Sequence, residues 1–181
     1  MFFLITIVFL IFSFFVLFLD LIQYKNNKRD FYKRFVERTS INSFDGDLLT
    51  HELIKIDYNY GITTKENKDK ALYNVNMLLN AVSLDCKQSD TYDYIKCANE
   101  KLRDNFYYKP SIEVSNNYAN HISDCDTNSY LMIDALSLVG IKGFIVYAPS
   151  HAFIGWIDDF GNSKHWETTT SNNTGKESDL S

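Results

Sequence analysis

The chain has 181 residues, 45% of them hydrophobic, and a formal net charge of -5 at neutral pH. Those totals supply one globular domain with a core and exclude a disordered or low-complexity chain. The acidic balance offers no basic footprint for nucleic acid, so none is expected as a partner.

Residues 1–22 open the chain with "MFFLITIVFLIFSFFVLFL", a run without a single charged side chain. At 1.5 Å per residue, nineteen residues reach roughly 28 Å, enough to cross a hydrocarbon core. With no basic n-region and no small-x-small site after it, the run reads as an uncleaved membrane anchor rather than a signal peptide. Residues 23–45 follow as a charged juxtamembrane helix and linker carrying Lys25, Lys28, Arg29, Lys33, Arg34 and Arg38. The positive-inside rule assigns that basic side to the cytoplasm. A disulfide between Cys86 and Cys97 would assign the domain to an oxidising compartment instead. Their spacing allows a bridge, and it equally allows three free thiols with Cys125. Localisation is therefore read as single-pass membrane, with the side of the domain open.

Residues 46–170 carry the domain. "SINSFDGDLLT" reads as a loop. The apolar spacing of Ala71, Leu72, Val75, Leu78, Leu79 and Val82 predicts a helix from Lys65 to Leu84. By position alone, Leu48–Leu84 fits a lid or pro-segment over a cleft. A second helix is predicted from Asp90 to Phe106 through Tyr94, Ile95, Ala98 and Leu102. "YYKPSIEVSNNYANH" reads as an irregular connection. In "SDCDTNSYLMIDALSLVG", Ser123 or Asp124 can cap a helix that Gly140 ends. The β-rich "IKGFIVYA" precedes a hairpin with its turn at Asp158–Asn162. Residues 171–181, "SNNTGKESDLS", read as a flexible tail. Helices first and strands last define an α+β fold.

Three residues in that order carry chemistry. Cys125 falls at the first turn of its helix, where unpaired N–H groups and the helix dipole favour a thiolate. His151 starts the first hairpin strand and can act as its base. If Ile157 faces Ser163 in the hairpin, Phe153 faces Glu167, and His151 and Glu167 become diagonal neighbours on one face. A slip of one residue would separate them. Asp124 and Asp126 flank the cysteine and oppose thiolate formation. An oxyanion hole needs the Cys125 N–H and a second donor, for which Asn117, Tyr118, Asn120 and Ser123 are candidates. Trp156 and Trp166 read as core or pocket wall. A zinc site using His121 with Cys125, and His165 with Glu167, lacks any tightly spaced ligand pair, so no metal or other cofactor is assigned.

The segment "DCDTNSYLMIDALSLVGIKGFIVYAPSHAFIGW" with "HWETT" resembles the core of the transglutaminase-like superfamily. The resemblance covers roughly residues 90–170. It implies a papain-like core in which a helix bearing the nucleophile packs on an antiparallel sheet. Cys125 matches the nucleophile, His151 the base and Glu167 the acid, with Thr168 where a "WEPT" form has proline. The expected activity is that of a membrane-anchored cysteine hydrolase or acyltransferase on peptide or glutamine-type amides, through a thioester. The alternative is a binding or scaffolding module that has kept the fold without turnover.

Overall fold

Among the residues that the computed structural model describes, 48–87 and 90–178, each predicted helix forms for the reason its pattern gives. The anchor and juxtamembrane readings lie outside those residues, and among the described residues no helix is long and apolar enough to cross a membrane. The helices are α1 (Leu49–Asn59), α2 (Lys65–Asp85) and α3 (Thr91–Asn105). The short strand β1 (Tyr107–Tyr108), helix α4 (Val114–Ala119), strand β2 (Ile122–Ser123) and helix α5 (Cys125–Ser137) follow. The chain finishes with β3 (Gly143–Ala148), β4 (His151–Ile157), β5 (Ser163–Glu167) and β6 (Lys176–Glu177). This is an α+β domain. Its compact unit runs Asp45–Ser181.

The apolar stripe of α3 is buried as predicted: Tyr94, Ile95, Ala98 and Leu102 meet Phe106 just beyond the helix end. On α2, Ala71, Val75, Leu78, Leu79 and Val82 face inward. The lid expectation for Leu48–Leu84 does not hold. Ile54 of α1 and Val75, Leu78 and Leu79 of α2 are part of the core, so these helices are scaffold rather than cover. Nor is residue 48 onward a loop, because α1 starts at Leu49 without a side-chain cap of its own. Asp134 of α5 supplies that cap from across the domain: it accepts from the Leu49 N–H at 2.8 Å, the Thr50 N–H at 2.9 Å and the Thr50 hydroxyl at 2.6 Å. Cys86 and Cys97 are joined in a disulfide that ties the end of α2 to α3.

The four strands β3-β4-β5-β6 make an antiparallel sheet, and β1 pairs with β2 in parallel. The β4–β5 register places Ile157 opposite Ser163 and Ile154 opposite Trp166, the alignment the hairpin pattern predicts. Asp158 sets the turn, its carboxylate accepting from the N–H groups of Phe160 and Asn162. Gly155 is glycine for space, since a Cβ there would sit 2.5 Å from the Phe144 ring on β3.

The described part of that stretch, residues 171–178, is ordered rather than a flexible tail. Ser171, Asn172 and Asn173 take left-handed backbone angles in a turn at Thr170–Asn173, and Gly175 (φ +68°) leads into β6, which pairs with β5. Asn173 is fully buried. Its amide donates to the Phe106 carbonyl and the Ser123 hydroxyl, and its oxygens accept from Asn128 and Asn99. Its hydrogen bonds reach residues on four separate segments, so local composition gave no sign of the packing.

Candidate active site

Helix α5 begins where Asp124 turns the chain. Its side chain accepts from the Thr127 N–H while the Thr127 hydroxyl accepts from the Asp124 N–H, a reciprocal capping box. Cys125 is therefore the first helical residue, with a free, partly exposed thiol. Beyond the helix, Gly140 (φ +73°) makes the stop predicted for it. The chain returns through β3, and α5 packs on β3 and β4.

The β3–β4 connection has two residues, Pro149 and Ser150, between the paired Ala148 and His151. Ser150 is at φ +59°, an uncommon setting for a side chain that is neither glycine nor asparagine. It delivers His151 at the first position of β4. His151 and Glu167 meet, the ring Nε2 against Glu167 Oε2. The other carboxylate oxygen, Oε1, accepts from the N–H and the hydroxyl of Thr169 at 2.8 and 2.7 Å. Thr169 is thus a second partner of Glu167, and one that no local pattern marks. Glu167 is held from two sides. Burial pushes its pKa up, but the bonds from His151 and Thr169 outweigh this and hold it below the ordinary value.

With Nε2 occupied, Nδ1 is the ring nitrogen left for another partner. Cys125 sits against the next residue of the strand: the N–H groups of Ala152 and Asp126 lie at its sulfur and favour thiolate. Burial outweighs them, and the carboxylates of Asp126 and Asp124 add to it, so the Cys125 pKa is raised. The expectation of a preformed thiolate from helix position alone is not met in this setting. Asp126 is itself raised, by burial and by Asp124, against the opposing charge of His151.

The remaining sequence candidates disperse. His121 binds the Asn105 carbonyl and lies beside Phe106, and His165 lies near the Ser163 hydroxyl. Among the described residues, no group of three or more His, Cys, Asp or Glu side chains is arranged to hold a metal ion. Trp156 and Trp166 are core, with the Trp166 indole donating to Asn99. A cavity of about 340 Å³ opens at the far end of β4, lined by Tyr92, Trp156, Asp158 and Phe160 among others. Cys125, His151 and Glu167 do not border it. Among the described residues, the free thiol of Cys125 and the imidazole paired with Glu167 lie away from this cavity.

What the fold and site define is an α+β domain with a cysteine at a helix start beside a histidine–glutamate pair on an antiparallel sheet. Comparisons with family models, with curated proteins and with solved structures find no match for this chain.

Proposed function

We propose that this chain is a membrane-anchored cysteine hydrolase or acyltransferase of the transglutaminase type, with a papain-like arrangement of Cys125, His151 and Glu167. The observation that carries the reading is the pairing of His151 Nε2 with a Glu167 that Thr169 also grips, one residue from the strand N–H that touches the Cys125 sulfur. Burial and the neighbouring carboxylates disfavour a resting thiolate, and we read the step as general-base attack. His151 takes the thiol proton as the sulfur bonds to an amide carbonyl carbon. The tetrahedral adduct then collapses, the C–N bond breaks, and His151 returns the proton to the departing amine. Water or a second amine releases the acyl group from the thioester. Hydrolysis is preferred, since water is always at hand. The substrate is a protein or peptide.

The second reading, a binding module without turnover, draws support from the acidic, partly buried setting of the thiol. As for location, the Cys86–Cys97 bridge supports an oxidising compartment for the domain, since the cytosol would keep such a pair reduced, while the charge count beyond the anchor supports the cytoplasmic side.

Iodoacetamide labelling of the full-length chain from pH 4 to 9, with mass-spectrometric site assignment, tests the proposal. Labelling of Cys125 at pH 7 should slow at least about tenfold in His151→Ala, the contribution of a positioned base being typically larger still. A rate that follows the thiol's own titration and ignores His151→Ala refutes the enzyme and leaves the module.

A further inference from the structure

Resting on the cysteine-enzyme reading, we propose that the Tyr108 hydroxyl is the second oxyanion donor of this site, acting with the N–H of Cys125 on a planar acyl carbonyl. The position follows from strand pairing. Tyr108 faces Ser123 in the parallel β1–β2 pair, two residues before the nucleophile. On its other side the Tyr108 N–H reaches the Asn172 side chain at 3.4 Å, in the segment that follows Glu167. Tyr108 is therefore bracketed between the chain leading to the nucleophile and the chain leaving the acid. Tyr108 is 40% exposed, so it stands at the surface rather than in the core. Among the described residues no hydrogen bond takes its hydroxyl. Burial first, then the charges of Cys125, Asp124 and Glu167, oppose its ionisation, which keeps the O–H a donor.

The other candidate donors are spent or sealed in the core, the Asn117 amide nitrogen being buried without a partner among the described residues. The Tyr118 hydroxyl donates to the Thr127 carbonyl, and the Asn120 amide to the Asn116 carbonyl. Ser123 is fully buried and accepts from Asn173. Asn117 is buried on α4, a helix packed against α1 and α2. Tyr130, the other phenol near Asp126, is engaged with Tyr147. The Cys125 N–H lies at the first helical turn, where no intrahelical acceptor exists. When sulfur adds to a carbonyl carbon, the π electrons move onto oxygen. Two neutral donors there stabilise that charge without giving up a proton.

The test compares two reagents on the full-length chain and on Tyr108→Phe. With p-nitrophenyl acetate, the Cys125 sulfur bonds to the acetyl carbon, p-nitrophenolate leaves, and the reaction passes through an oxyanion. With iodoacetamide, a C–S bond forms as iodide leaves, and no oxyanion arises. Acetylation of Cys125, assigned by mass, should fall about a hundredfold in Tyr108→Phe, while alkylation changes less than about twofold and so reports an intact fold. Equal acetylation in the two proteins overturns the assignment alone. A wild-type chain that is alkylated but never acetylated at Cys125 overturns the enzyme reading and the assignment with it.

Discussion

Replacing Asp134 by alanine should cost about 3 kcal/mol, although the residue lies more than two turns from Cys125 on the same helix. Its carboxylate is 2% exposed and accepts three hydrogen bonds from the first turn of α1. Two of the donors belong to Thr50, which is fully buried, so truncation leaves both unpaired in the core. Each such donor costs ~1–3 kcal/mol, and α1 has no cap of its own to replace the loss. Burial of the carboxylate raises its pKa and offsets part of the sum, which brings the expectation to ~3 kcal/mol. Because the folded pKa is raised, this group's contribution is complete below the unfolded value and lost as pH rises through the folded one. The wild-type advantage over Asp134→Ala should therefore grow as pH falls toward the ordinary aspartate value of 3.8. Urea unfolding of the full-length chain, followed by fluorescence of the buried Trp156 and Trp166, measures this directly. A double-mutant cycle with Thr50→Val should return a coupling of at least ~1 kcal/mol. A loss below ~1 kcal/mol, or strict additivity in the cycle, would refute the reasoning.

Glu167→Gln should show the opposite pH slope. Glu167 has a lowered folded pKa, so its stabilisation is present above the ordinary value of 4.5 and disappears as pH falls through the folded one, closing the gap between the two proteins in urea titrations at acid pH. Gly175→Ala should destabilise by roughly 2–4 kcal/mol in the same assay, because the site is at φ +68° and the new Cβ would meet the Asn99 amide and the Trp166 indole nitrogen, each at 2.6 Å. A loss under ~1 kcal/mol would show that the Asn99–Trp166 pair gives way freely.

The parts of this molecule that are legible in its sequence rest on short-range rules. Alternation and a turn fixed the β4–β5 register, and with it the meeting of His151 and Glu167. Ser123 or Asp124 before an apolar period announced the start of α5, the structure selecting Asp124, and Gly140 announced its end. What stayed illegible depends on partners distant in the chain. The start of α1 is capped by a residue 84 positions away, so no local signal marks it. Six residues of α4 are too few to show a period inside an asparagine-rich connection. Nothing local marks Thr169, whose grip on Glu167 exists only once the strand ends beside it. The raised thiol of Cys125 was half legible: the flanking Asp124 and Asp126 announced opposition to a thiolate, while burial, the larger cause, left no local signal.

The left-handed turn after β5 bears on how this protein tolerates trimming. Three successive residues without glycine, Ser171, Asn172 and Asn173, hold positive φ, a conformation costing about 1 kcal/mol or more apiece. The four partners of Asn173 and the pairing of β6 keep the turn wound. An exopeptidase that stopped at Gly175 would strip β6 from β5 and expose the edge of the strand that ends in Glu167. Such digestion would release a spring rather than shorten an idle end. The few residues before Ser178 thus act as a clasp on the histidine's partner.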